Sequence, residues 1–369
     1  MKIRIKRWII GIVWIGIVLN SSGCEKNKTQ SPSGSVQKYN YTFMEDGILY
    51  CNPQTRRAEF YDYAAQSYIP ICGKANCRHQ YGDETCTAVW LERGGCVGRI
   101  GDKWYYHCDS FFSCDLDGSN EKELGEFHHM LSPLGVRIFR DNSIICATYD
   151  IDFDEETEEP LDSSAIYRFH FDTGETETIC PEIQSDLSVY EVVGLYGNQL
   201  IYREWTREYG KRTKMIDLDS GTITEPIGTV ESARDMVIEG DSLITTVADG
   251  GDFSVAEFNL KTGEQRTLLG KLKDGVNVYW GAELKQLQTI ETRGFRDWHM
   301  ETYQYQEDKG CALFREGDVY HEMEVLMVKN GQVIGRIGDP GDEDVMFDLV
   351  VISLEDYLAG KTNWKLLEY

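Results

Sequence analysis

Residues 196–222 read YGNQLIYREWTREYGKRTKMIDLDSGT, and the fold turns on this stretch. It enters a strand through the polar-glycine turn at Gly197-Asn198 and continues into a second strand. It leaves for a third through the tight turn Leu218-Asp219-Ser220-Gly221-Thr222. Glycine at such points supplies the positive φ that short hairpins require. The opening phrase returns at Asp46-Gly47, Gly101-Asp102, Asp141-Asn142, Gly240-Asp241 and Asn330-Gly331. The closing phrase returns at Asp117-Gly118, Thr173-Gly174 and Thr262-Gly263. From Gly118 through Gly174 and Gly221 to Gly263, successive closing glycines lie 56, 47 and 42 residues apart. One four-stranded propeller blade takes roughly 40–50 residues. A β-sandwich does not explain one strand–turn phrase used six times. The reading is therefore all-β: a single propeller of four-stranded antiparallel blades, seven in number with six as the alternative. The seventh comes from residues 276–314, where the turn phrase is degenerate. Residues 39–43 are expected to complete the last blade, with residues 364–367 beside them. One helical turn is predicted near Leu354 to Leu358.

Composition agrees. The 369 residues are 41% hydrophobic, with 35 Gly, 21 Tyr, 14 Phe and 8 Trp, which favours pleated sheet and frequent turns. A mean hydropathy of -0.41 excludes a multi-span membrane protein. The 62 acidic against 37 basic side chains give a net charge of -25, and a nucleic-acid backbone is repelled by such a field.

The N-terminus is an address. Lys2, Arg4, Lys6 and Arg7 precede an apolar run of twelve residues, Trp8 to Leu19. As a helix that run reaches roughly 18 Å, short of the ~30 Å of a bilayer core. It ends in Ser21-Ser22-Gly23 directly before Cys24, which marks residues 1–23 as a signal peptide with its cleavage site. The segment resembles a bacterial lipoprotein signal, in which the cysteine after the cut is lipidated. That pattern has an aliphatic residue three positions before the cysteine; here Ser21 stands there, and Leu19 lies two further back. An ordinary secretory signal followed by an unmodified cysteine is the alternative. Residues 24–37 then form the lipidated cysteine and a polar tether, leaving 38–369 for the propeller. Cleavage removes four basic side chains and no acidic one, taking the charge to -29. An anionic membrane surface repels such a head, so the acyl chains do the anchoring.

Six of the eleven cysteines lie between Cys72 and Cys114. The tightest group is Cys72, Cys77, His79 and Cys86, a Cys-x4-Cys-x-His-x6-Cys pattern. Cys77 and His79, two residues apart in an extended segment, face one side. Three thiolates and an imidazole make a complete tetrahedral shell, the donor set of a closed structural zinc site. Disulfides at the same cysteines are the competing reading, because the chain is exported to where oxidants act. Either way the segment is a staple.

The signal and the cysteine segment together resemble surface lipoproteins of Gram-positive bacteria that join a lipoprotein signal to a TolB-like propeller. Many of those carry a Cys-x4-Cys-x-His-…-Cys segment after the first hairpin, matching Cys72, Cys77, His79 and Cys86. Their activity is not established, so the resemblance implies location and fold and leaves the ligand open.

Other motifs fail on inspection. Asp150, Asp152 and Asp154 begin like a calcium loop, but Glu155 and Leu161 occupy the positions that need Gly and Glu. His321-Glu322 lacks the second histidine of a zinc-protease helix, since Val325 stands there. The glycines at 335, 338 and 341 have the wrong spacing for a dinucleotide loop, and no Gly-x-Ser-x-Gly elbow exists. His128 and His129 are adjacent and so point apart. Trp280, Trp298, Tyr303 and Tyr305 suit a sugar platform or, more commonly, packing between blades. The favoured function is a non-catalytic binding or scaffold lipoprotein at the extracytoplasmic face of the cell membrane. Its partners are the membrane, through the lipid, and an extracellular peptide, glycan or protein, not nucleic acid. The alternative is an exported carbohydrate-active enzyme, a lyase or glycosidase, whose carboxylates converge at the channel.

Overall fold

The computed structural model describes residues 34–367 except 39–40, 53–56, 75–76, 80–85, 87, 89–95, 154–159, 185–188, 207–209, 230–235, 250–251, 273–275, 282, 295–296, 319–321 and 338–347. The signal segment, Cys24 and most of the tether lie outside the described residues, as do Asp154, His321, Gly338 and Gly341. Among the described residues no helix is long and apolar enough to cross a membrane.

The first strand, β1 (Ser35–Lys38), is followed by β2 (Tyr41–Phe43), β3 (Gly47–Asn52), β4 (Arg57–Asp62) and β5 (Ser67–Pro70). Then come β6 (Cys96–Ile100), β7 (Lys103–His107), β8 (Ser110–Asp115) and β9 (Lys122–Glu126). The third run is β10 (Val136–Arg140), β11 (Ser143–Ala147), β12 (Asp150–Phe153), β13 (Pro160–His170) and β14 (Thr176–Gln184). The fourth is β15 (Val189–Tyr196), β16 (Gln199–Thr206), β17 (Gly210–Asp217) and β18 (Ile223–Thr229). The fifth is β19 (Met236–Glu239), β20 (Ser242–Asp249), β21 (Asp252–Asn259) and β22 (Gln265–Leu272). The sixth is β23 (Val276–Trp280), β24 (Lys285–Gly294), β25 (Asp297–Gln306) and β26 (Gly310–Asp318). The chain ends in β27 (Glu324–Lys329), β28 (Gln332–Ile337), β29 (Asp348–Ser353), the helix α1 (Leu354–Leu358) and β30 (Lys365–Leu366).

All-β architecture with antiparallel four-stranded blades in a propeller ring holds, but neither seven nor six separate blades is what the hydrogen bonding makes. Among the described residues five four-stranded blades stand alone: β6–β9, β15–β18, β19–β22, β23–β26 and β27–β30. The rest is one ten-stranded sheet, ordered β12-β13-β11-β10-β1-β2-β3-β4-β5, with β14 also on β13. The cause is β1. It pairs antiparallel with β10 on one edge and β2 on the other, and so joins the four-stranded run β2–β5 and the five-stranded run β10–β14 into one sheet. The segment read as the end of the tether is thus part of the fold from Ser35 onward. Ser35 and Gln37 are buried, and Ser35 Oγ accepts from the Arg99 backbone N–H of β6 at 2.7 Å. The strand therefore bridges the inner edge of the β6–β9 blade as well.

A second expectation also falls. Residues 41–43 do not complete the last blade, and β30 does not lie beside them; β2 pairs β1 and β3, whereas β30 pairs β29. The ring closes through side chains instead. Tyr41, Ile48, Tyr50 and Tyr61 form one apolar cluster with Ile334, Leu349 and Val351 of the last blade. Similar clusters fill the gaps all the way round, each drawing on two neighbouring strand runs. Full burial of one such side chain contributes about 1.5–3 kcal/mol. The segment 276–314, with its degenerate turn, does form a four-stranded blade. The helical turn forms at α1, capped by Ser353, whose hydroxyl accepts from the Asp356 backbone N–H.

Two glycines show how the turns and the ring differ in what they demand. Gly221 sits at φ +68° with open space where a Cβ would be, and its N–H closes the turn onto the Asp217 carbonyl at 2.8 Å. Gly98, on the innermost strand β6, has no such φ, but a Cβ there would lie 2.1 Å from Phe139 Cδ2 of β10. Blades converge towards the axis, so the inner strands must shed volume. Gly221→Ala is expected to cost about 1 kcal/mol from backbone strain alone. Gly98→Ala is expected to cost at least about 2 kcal/mol through overpacking. Denaturant midpoints of the two variants check the order.

Candidate metal centre

The connection from β5 to β6, residues 71–95, is 25 residues long and carries the cysteine pattern. A connection of that length gains from an anchor of its own. Ile71, Cys86 and Ala88 are buried in the cluster that also holds Leu49, Phe60, Trp104 and Tyr106, with Cys72 and Cys77 packed against it. The Gly73 N–H donates to the Asp117 carbonyl at 2.9 Å, tying the segment to the β8–β9 turn. A Cβ at Gly73 would come within 2.7 Å of Asp117 Cβ, so glycine permits this approach.

The structure brings the four sequence candidates together. The donor atoms of Cys72, Cys77, His79 and Cys86 all lie within 4.8 Å of one another. Cys86 Sγ is 3.6 Å from His79 Nδ1. Across a tetrahedron with bonds of about 2.3 Å to sulfur and about 2.0 Å to nitrogen, that edge is about 3.6 Å. The convergence has a different origin from the extended segment expected. Cys77 closes a turn onto the Lys74 carbonyl at 3.2 Å, and His79 takes a left-handed φ of +50°. A non-glycine residue pays for that conformation with backbone strain, which a fixed ligand position would offset. Burial, first of all, pushes the Cys86 thiol up to about 12, and its thiol neighbours add to the rise. A bound cation would displace the protons of these thiols to solvent and hold the thiolates as ligands.

The three cysteines are free thiols, not disulfides, as are Cys96, Cys108, Cys114, Cys146, Cys180 and Cys311. Three sulfurs and one nitrogen at this spacing fit a tetrahedral zinc-class ion that fills its shell with protein ligands. An ion held there would fix the segment against the two neighbouring strand runs.

A second feature was not visible in the sequence. A cleft of about 450 Å³ is lined by His107, Asp109, Phe127, His128, His129 and Arg137, among others. The β7–β8 hairpin contributes His107 and Asp109, and the β9–β10 crossover contributes Phe127, His128 and His129. Arg137 Nη1 donates to Gln37 Oε1 at 3.2 Å and Nη2 to the Ser132 carbonyl at 2.9 Å, while Nε has no partner. His107 Nε2 donates to the Phe127 carbonyl at 3.0 Å, which fixes its tautomer. Burial lowers the His107 pKa from its usual 6.5 despite that bond. The adjacent histidines part as expected: His128 pairs Glu126, and His129 pairs Asp150 and stacks on Tyr167 at 4.6 Å.

The remaining candidates resolve into packing. Asp150 accepts from the Met130 N–H and belongs to strand β12. Glu322 faces Arg315. Gly335 lies inside strand β28. Trp280 and Tyr305 are buried 5.1 Å apart in a cluster shared with β20, β21 and β22, so they pack blades rather than offer a platform. Carboxylates with a shifted pKa include Asp115, Asp117, Asp217 and Asp356. Each is lowered chiefly by hydrogen bonds in exposed turns or at the helix cap.

No family model matches the chain, and no curated protein matches it. Solved structures do. A puromycin-hydrolyzing peptidase of Mycobacterium tuberculosis is 12% identical, with a TM-score of 0.50 over 91% of this chain and 53% of that one. TolB from Acinetobacter baumannii is 14% identical, with a TM-score of 0.37 over 87% of this chain and 76% of that one. Oligopeptidase B from Leishmania major is 10% identical, with a TM-score of 0.47 over 92% of this chain and 48% of that one. The chain spans about half the length of the two peptidases. At such identities the likeness is one of fold.

Protein purified without chelator is expected to hold zinc at the cysteine centre and to lose it in Cys86→Ser. Elemental analysis and a thiol count with and without reductant read this out. Metal-free protein whose thiol count rises on reduction would point to disulfides instead.

Proposed function

We propose that the chain is an extracytoplasmic binding lipoprotein, with Cys24 as its lipid anchor and the cleft between the β6–β9 blade and the β10–β14 run as its binding site. The observation that carries this reading is the make-up of the cleft. Histidines, an arginine and aromatic or aliphatic side chains surround it, with Asp109 as its carboxylate. A glycosidase-type centre needs two carboxylates facing each other across the scissile bond; here Asp109 lines the cleft, while Glu126 and Asp150 are paired with His128 and His129. Imidazoles and an arginine beside aromatic and aliphatic side chains suit recognition of an exported peptide or glycan.

The location follows from the leader. A basic, then apolar, then small-residue segment directly before Cys24 supports export and lipidation. The zinc-class centre serves this function indirectly by fixing a long connection on an exposed domain.

Labelling of cells with a palmitate analogue is expected to tag the wild type and to vanish in Cys24→Ala; label persisting in that variant refutes the anchor. The depressed His107 pKa sets a second expectation. Its contribution to stability is full above about 6.5 and is lost as pH falls through the lower folded value. Denaturant midpoints should therefore drop between pH 7 and pH 5, and His107→Gln should flatten part of that slope. Arg137→Ala and His129→Ala should each reduce cross-linking of the full chain to its extracellular ligand at least tenfold. Unchanged capture in both variants moves the site elsewhere.

A further inference from the structure

On the β23–β26 blade, His299, Glu301 and Glu316 form a cluster that neither the cysteine centre nor the cleft uses. The ladder places Glu301 of β25 directly opposite Glu316 of β26, and His299 two residues before Glu301. Alternation along a strand then puts all three side chains on one face. Their donor atoms lie within 4.8 Å of one another. His299 Nε2 is 3.7 Å from Glu316 Oε2 and 3.9 Å from Glu301 Oε1. Both gaps exceed a hydrogen bond. Nε2 is shut off from solvent and has no hydrogen-bond partner.

A buried ring nitrogen without a partner calls for an explanation. Two carboxylate oxygens close by, yet beyond hydrogen-bond reach, supply one. A cation with bonds of about 2.0–2.2 Å spans donor separations up to about 4.2 Å, so both distances fit a shared central ion. A second contact holds the ligand in place: the other oxygen of Glu301, Oε2, accepts from the Tyr303 hydroxyl at 2.6 Å. Such an outer hydrogen bond is how metal-binding carboxylates are oriented. Tyr303 is in turn packed against the cluster that includes Leu268 and Trp280.

We propose that His299, Glu301 and Glu316 bind a divalent transition-metal ion of the zinc class, in an open site distinct from the cysteine centre. One imidazole and two carboxylates are a borderline-hard donor set, which suits zinc or manganese and is poor for copper(I). The exposure gradient makes the site open. His299 is 16% exposed, Glu301 31% and Glu316 60%, so water completes the shell on the Glu316 side. The cysteine centre has four protein donors and resists exchange, whereas this site has three and loads reversibly. The chain's strong negative charge raises the local concentration of divalent cations around it.

The test is calorimetric titration of zinc into the full chain, first saturated with zinc and then freed of loosely held ion by gel filtration. One further equivalent is expected to bind reversibly to the wild type. Glu316→Gln changes an exposed side chain and should weaken that equivalent at least tenfold with an unchanged denaturant midpoint. His299→Gln should abolish it. Cys86→Ser should retain it, which separates this site from the cysteine centre whatever that centre holds. Wild type that takes up no reversible equivalent overturns the proposal, as does an affinity within twofold of wild type in Glu316→Gln and His299→Gln. In that case the three residues form only a loose ion pair.

Discussion

Each blade has two apolar faces, and only its neighbours can cover them. This requirement organises the molecule. A blade alone leaves residues such as Leu49, Val97, Ile144, Leu200 and Val333, all buried here, in water. A ring is the arrangement in which no blade is terminal. Closure here does not come from a strand exchanged between the chain ends. It comes from Tyr41, Tyr50 and Tyr61 meeting Ile334 and Val351 across the gap between last and first strands. The N-terminal strand β1 does different work: it joins two strand runs into one sheet and lies along the inner edge of the blade between them.

That geometry decides where chemistry sits. Inner strands approach so closely that Gly98 and Gly194 leave room for Phe139 and Ile238 from the neighbouring run. The cleft residues come from one hairpin and one crossover. The cysteine centre lies in the longest crossover, and the His299 cluster lies on a blade face beside the β24–β25 hairpin.

The two candidate metal-binding clusters differ in how local they are. Cys72, Cys77, His79 and Cys86 fall within fifteen residues, so their spacing alone exposed the donor set. What spacing missed was the means of convergence, a left-handed His79 rather than an extended segment. His299, Glu301 and Glu316 span a hairpin, and only the register of β25 on β26 sets Glu316 opposite Glu301. A shift of one residue would send Glu316 to the other face. Arg137 and His107 likewise share the cleft although thirty residues separate them.

Read alone, the chain disclosed what local physics controls. Turns that need positive φ marked the strand runs, and the spacing of Cys72, Cys77, His79 and Cys86 marked four donors that come together. The number of separate sheets, the place of β1, the way the ring closes and the make-up of the cleft were decided only on folding. Those features depend on which strands meet across long stretches of chain, and hydrogen-bond edges and apolar faces choose their partners in space.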